Sequence, residues 1–138
     1  MNREELKKYV PHREPMLLVD EVEMTDKTHA AGKYKVTGDE WFLKGHFPGN
    51  PIVPGVVLCE IMAQASSVLI ADKIQGRIPF FAGIDKARFR NKVVPGDTLD
   101  IECSLIKERG PFYFVSAKGY VKGKLSVTGE FSFALVEA

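Results

Sequence analysis

From Val56 to about Ile74 the chain reads VVLCEIMAQASSVLIADKI, a stretch with neither proline nor glycine. Pro54-Gly55 precedes it and Gly76 follows, where a helix start and a helix stop belong. Such a helix is roughly 26 Å long at about 1.5 Å per residue, close to the diameter of a small domain. Its apolar side chains cover nearly the whole circumference, and a helix that is apolar all round is buried all round. One flat sheet face cannot supply that cover. Either a sheet curls around the helix or a second subunit completes the enclosure. A membrane span is the weaker reading: Val56 to Ala71 falls short of the roughly 20 apolar residues a bilayer requires, and Glu60, Gln64, Ser66 and Ser67 interrupt it.

Around this helix the sequence reads mostly as strands. Residues 2–8 (NREELKK) make a short helix start at Asn2, ended by Tyr9-Val10-Pro11, and Pro11 to Pro15 is a stiff loop. Met16 to Met24 is expected as a first strand with Leu17, Leu18 and Val19 buried, and residues 28–37 as a second. Trp41-Phe42-Leu43 is too short to classify and packs beside the loop that follows. After the helix, Ile78 to Ile84 leads into Asp85 to Lys92, then Thr98 to Lys107, Phe112 to Val121 and Leu125 to Val136, with turns at Val94–Asp97, Glu108–Pro111 and Lys122–Lys124. Consecutive strands joined by tight turns are hairpins and therefore antiparallel. The fold class is α+β, about six antiparallel strands curled round one central helix.

The 138 residues suit one domain, 1–138, with no visible linker, repeat or boundary. A net charge of +1 argues against a nucleic-acid partner bound through global charge. Cys59 and Cys103 lie far apart in a chain without a signal peptide, which reads as reduced thiols and a cytoplasmic location.

Chemistry concentrates in residues 46–67, HFPGNPIVPGVVLCEIMAQASS. Glu60 sits on the buried helix, where desolvation raises a carboxyl pKa and suits a general acid near neutral pH. Gln64 lies one turn later on the same face and can donate to that carboxylate; Ser67 continues the stripe. The structural alternative, a polar stripe that merely satisfies itself, is about as good on Glu60 alone. His46 stands just before a loop stiffened by Pro48, Pro51 and Pro54, the setting of a preorganised base, whereas a lone loop histidine is more often structural. Gly55, at the positive end of the helix, offers an N–H to a substrate oxygen and no side chain to obstruct it; taken alone it is a plain turn glycine. Phe47 and Gln64 are further candidates to face a substrate. His12 reads as structural and His29 as exposed. No metal-ligand spacing and no nucleotide glycine loop occur, and Cys59 is an inert buried thiol. Lys86, Arg88, Arg90 and Lys92 recur with period two, so a strand would put all four on one face, with Ala87 and Phe89 on the other. That strip is either a solvated face or a dock for an acidic partner.

The segments His46-Phe47-Pro48-Gly49-Asn50-Pro51, Pro54-Gly55-Val56, Glu60 and Ala63-Gln64-Ala65 resemble the signature of the bacterial (3R)-hydroxyacyl-acyl carrier protein dehydratases, and PHREPMLLVDEV and GIDKARFRNKVVPGD agree with it. The resemblance implies a hot-dog fold, in which the sheet wraps the helix. It implies a homodimer with His46 of one subunit facing Glu60 of the other, and in many relatives three dimers in a hexamer. It implies substrates tethered by phosphopantetheine to acyl carrier protein, an acidic partner that suits the basic strip, and no cofactor and no membrane. His46 and Glu60 are then the catalytic pair that dehydrates a 3-hydroxyacyl thioester to the trans-2-enoyl product, with Gly55 N–H on the thioester oxygen. Sister dehydratase-isomerases usually carry aspartate at the Glu60 position, so glutamate favours the plain dehydratase. Lys92 stands where relatives often have proline, and Phe80 and Phe81 where some carry a gating tyrosine. The alternatives are a hot-dog thioesterase, a dehydratase with added isomerase activity, and a non-catalytic acyl-thioester binding module.

Overall fold

A computed structural model describes residues 1–138. The helix starts at Pro54, whose carbonyl accepts from Val57 N–H and Leu58 N–H, and α2 runs as α-helix over Gly55–Ser66. It tightens to a 3₁₀ turn at Ser67–Ile70 and resumes as α3 over Ala71–Ile74. Ser66 and Ser67 donate their hydroxyls to the carbonyls of Met62 and Ala63, the back-bonding that disturbs a regular helix at such positions. Gln75 ends the helix in the left-handed conformation, φ 38°, one residue before the expected glycine. Every residue from Ile61 to Ile70 is buried. By length and composition Gly55–Ile74 could cross a membrane, yet here it is enclosed by the sheet.

The sheet holds six antiparallel strands: β1 Glu21–Met24, β2 His29–Lys35, β3 Ile78–Phe89, β4 Thr98–Arg109, β5 Phe112–Val121 and β6 Lys124–Val136. Their spatial order is β1-β2-β4-β5-β6-β3. Three of the joins are the expected hairpins: β1/β2, β4/β5 and β5/β6. The fourth is not. The turn at Val94–Asp97 does not pair β3 with β4; β3 lies on the far side of β6, with Phe81 opposite Phe133 and Ile84 opposite Phe131. Before it, the helix crosses the concave face, and the chain emerges at the far edge of the sheet. Leu99, Ile101, Val115, Ala117, Val127, Phe131 and Phe133 turn inward from the strands to meet Leu58, Ile61, Met62 and Ala65 of α2 in one core. This is the hot-dog arrangement.

The first strand is shorter than its sequence reads. Leu17, Leu18 and Val19 are buried as expected, but the strand proper begins at Glu21. Met16 and Leu17 donate their amides back to Arg13 in a turn, and the Leu18 amide goes to the Gln64 side chain rather than to a neighbouring strand. A helix side chain thus takes the place of a ladder partner. Near the N-terminus, α1 (Arg3–Leu6) forms with a full capping box between Asn2 and Glu5. Trp41–Leu43 is a 3₁₀ turn that buries Phe42 and Leu43.

The two sheet edges differ. β1 is four residues long and largely exposed, a blunt edge. β3 is twelve residues long, and Ile78, Phe80 and Ile84 stand exposed on its outer side. A long apolar edge of this kind is a template for pairing with another chain.

Candidate active site

Glu60 and Gln64 are one turn apart on α2, and the sequence expectation that Gln64 would donate to the carboxylate is met: Gln64 Nε2 to Glu60 Oε2 is 2.7 Å. The same Nε2 donates to Met16 O at 2.6 Å, and Gln64 Oε1 accepts from Leu18 N–H at 2.7 Å. Both amide hydrogens and the oxygen are therefore used, which fixes which way the amide points. Gln64 is buried and clamps the 16–18 segment over the helix; no donor is left for a ligand. Burial pushes the Glu60 carboxyl above the usual carboxylate range, and the Gln64 bond opposes the rise in part.

The loop ahead of the helix is tied down by its own backbone. His46 N–H donates to Leu43 O, Phe47 and Asn50 exchange bonds, Ile52 N–H reaches His46 O and Val53 N–H reaches Val93 O. The His46–Phe47 peptide bond is cis, and the Phe47 ring stacks on the imidazole at 4.1 Å between centroids. His46 Nδ1 lies 2.8 Å from the carbonyl oxygen of Ile52. A carbonyl only accepts, so Nδ1 carries the proton and Nε2 is left as the free base. Stiff loop, fixed tautomer and available lone pair are what a general base needs.

Gly55 opens α2, and its amide precedes the first intrahelical bonds, at the positive end of the helix. A Cβ added there would meet the Phe89 ring at 2.9 Å. His46, Gly55, Val56, Phe89, Arg90 and Lys92 line one cleft of about 610 Å³. Glu60 is not part of it. With Gln64, Ser67, His12, Phe81 and Phe133 it lines a separate cavity of about 30 Å³. Within one chain the structure joins His46 to Gly55, and Glu60 to Gln64, but leaves the two pairs in different cavities.

The basic strip departs from its expected geometry. β3 ends at Phe89, so Arg90 and Lys92 lie beyond the strand, and a bulge between Asp85 and Arg88 puts Lys86 in the left-handed region at φ 53°. Period-two alternation fails at a bulge because one residue too many faces the partner strand. Lys86 turns to Glu130 at 3.4 Å, and Phe89, expected on the face opposite the charged strip, is exposed as well. Arg88, Arg90 and Lys92 are exposed, the last two at the rim of the His46 cleft.

The remaining candidates behave as their surroundings dictate. His29 is exposed and pairs with Asp26 at 2.9 Å. Cys59 and Cys103 are free and buried, and burial raises both thiols, Cys103 to about 11. His12, read from the sequence as structural, has a neighbour that the sequence did not indicate: its Nε2 lies 3.9 Å from Glu60 Oε2. The signal that could have found it is weak, a histidine in a Pro-flanked loop just ahead of the buried run Leu17–Val19.

Residues 10–130 match the model of a family described as FabA-like domain. The chain is 45% identical over 137 residues to the 3-hydroxyacyl-acyl-carrier-protein dehydratase FabZ of Clostridium perfringens, covering 98% of this chain and 99% of that one. It is 47% identical over 133 residues to the FabZ of Desulforamulus reducens, covering 94% of each, and 42% identical over 137 residues to that of Staphylococcus epidermidis, covering 97% and 94%. Among solved structures it superposes on the dehydratase heterocomplex ApeI:P from Xenorhabdus doucetiae with TM-score 0.79 at 24% identity, over 94% of this chain and 90% of that one. A hypothetical thioesterase with coenzyme A from Streptococcus pneumoniae shares the fold at TM-score 0.65 and 14% identity, over 85% of each chain.

Proposed function

The chain belongs to the FabA-like domain family, and from that premise we propose that it dehydrates 3-hydroxyacyl-acyl carrier protein to the trans-2-enoyl thioester in fatty-acid biosynthesis. Residues 1–138 act as a single hot-dog domain. The observations that carry the chemistry are a desolvated carboxyl braced by Gln64 and, in a separate cleft of the same chain, an imidazole whose Nδ1–H is committed to Ile52 O. His46 Nε2 takes the proton from Cα of the hydroxyacyl thioester. The thioester oxygen gathers enolate charge and is held by Gly55 N–H. Glu60, in the protonated form that burial favours, gives its proton to the departing hydroxyl, which leaves as water. The proton now on His46 and the one lost from Glu60 exchange with solvent before the next cycle, so the reaction needs no electron acceptor and no cofactor.

A cavity of about 30 Å³ beside Glu60 accommodates a water but not an acyl chain. The reading is therefore of a homodimer in which the cleft carrying His46 and Gly55 in one subunit closes over Glu60 in the other. The apolar outer edge of β3 is the surface that supports such pairing, and a trimer of these dimers is the further assembly implied by the resemblance. Phe47 is half exposed and stacks on His46, so it can meet a substrate that reaches the imidazole. Arg90 and Lys92 at the rim of that cleft, with Arg88 and Lys86 exposed on the strand leading to it, suit an acidic carrier protein, and the protein works in the cytoplasm. Reversing Arg88 and Arg90 to Glu is expected to raise KM for carrier-protein substrates several-fold at low salt, with kcat little changed; an unchanged KM assigns these residues to solvent alone.

Turnover of 3-hydroxyacyl carrier-protein substrates of graded length, with double-bond position determined in the product, tests the reading. The expected product is the trans-2-enoyl thioester. Release of free thiol, read with a thiol-reactive dye, would instead mark a thioesterase, and saturable binding without turnover a binding module.

A further inference from the structure

His12 is not used by the mechanism above, yet it stands in the same small cavity as Glu60, reached from a loop rather than from the helix. We propose that His12 is a positioning residue for Glu60, a neutral imidazole whose Nε2–H faces the carboxylate that Glu60 becomes on giving up its proton. The inference rests on the reading of Glu60 as the general acid.

Three observations carry it. His12 Nε2 is 3.9 Å from Glu60 Oε2, beyond a direct hydrogen bond, and the cavity between the surrounding groups has room for one bridging water. His12 Nδ1 is buried with no hydrogen-bond partner. An N–H at that position would be an orphan donor, so the proton belongs on Nε2, from which Glu60 Oε2 is reached through a water. The doubly protonated ring would leave Nδ1–H unpaired, and both burial and the neighbouring Arg13 disfavour it. The imidazole is thus held neutral, with its one donor on the nitrogen that lies 3.9 Å from Glu60 Oε2.

The other walls leave few competing charges. Gln64 and Ser67 face Glu60 from the helix, Pro79 and Phe81 from β3, and Phe133 from β6. Ser67 is occupied with Ala63 O. Arg13 is the charged neighbour that acts on His12, and Gln64 is the direct hydrogen-bond donor to Glu60. Burial favours the protonated acid, which must be present at the start of the reaction; donors from Gln64 and His12 favour the anion, which must form as water leaves. The two donors together keep a buried carboxyl acidic enough to release its proton.

The test is a titration of Glu60 by ¹³C NMR in protein labelled at the glutamate carboxyl, with the signal identified by its loss in Glu60→Gln. In His12→Phe, which keeps a ring and removes the donor, the Glu60 midpoint is expected to rise by about one pH unit, and kcat to fall roughly three- to tenfold. His12→Gln restores an N–H donor and is expected to bring the midpoint most of the way back, which a purely packing role would not do. If the phenyl ring prevents folding, His12→Leu carries the same test. A midpoint in His12→Phe or His12→Leu that coincides with wild type overturns the inference. Should Glu60→Gln keep full turnover, the reading of Glu60 as the acid falls instead, and the titration still decides whether His12 acts on it.

Discussion

Glu60→Gln is expected to lower kcat on the order of 10²–10⁴-fold, the usual worth of a positioned proton donor. The substitution is close to isosteric, and the new amide oxygen can still accept from Gln64 Nε2, so the loss isolates the proton rather than the shape. Stability moves the other way. A carboxyl whose folded pKa lies above its unfolded value binds its proton more tightly in the folded state, and the folded state loses stability as pH rises from the unfolded pKa through the folded one. Above that window the wild-type protein carries the penalty of a buried anion that glutamine lacks. Thermal unfolding at pH 7–8 should therefore find the variant no less stable than wild type, while steady-state assays find it nearly inactive. Full turnover in the variant would remove Glu60 from the reaction.

The second large effect is a recovery. His46→Ala and Glu60→Gln should each be close to inactive as pure proteins, yet chains of the two kinds assembled together should regain activity. In a mixed dimer one site combines both defects and the other combines both intact residues. With random pairing of equal amounts, about a quarter of the wild-type activity per chain is expected from a two-fold dimer. Denaturing and refolding the mixed chains, or expressing them together, supplies the sample, and each pure variant taken through the same steps is the control. A mixture as inactive as its components would mean that His46 and Glu60 of one chain serve the same site, against the separate cavities they line.

How far the sequence alone carried this picture depended on how local each feature is. The helix from Gly55, its proline start and its burial were readable because they follow from residues adjacent in the chain. So were the hairpins β4/β5 and β5/β6, whose turn residues declare them. The Glu60–Gln64 bond was readable because helical spacing brings such residues together. What escaped is non-local. Nothing near Leu18 says that its amide will be met by Gln64, 46 residues away, so the buried run Leu17–Val19 read as strand. The same clamp lays the N-terminal loop over the helix and brings His12 to Glu60, which is why that histidine looked merely structural. The partner of β3 is set by where the helix delivers the chain, and the bulge at Lys86 by the fit of β3 to β6, neither of which an alternating pattern encodes.

The placement of β3 beside β6 has a consequence for how the protein is made. Its only neighbour within the sheet is β6, the last of the six strands to be made. At ~5–20 residues per second, translation from Phe89 to Val136 takes roughly 2–10 s. Throughout that interval Ile78, Phe80, Phe81 and Ile84 belong to a finished strand with no partner. The nascent protein is therefore open to aggregation through this strand until β6 emerges. Asp85, Lys86, Arg88 and Arg90, which follow directly on this apolar stretch, are placed to act as gatekeepers during the wait.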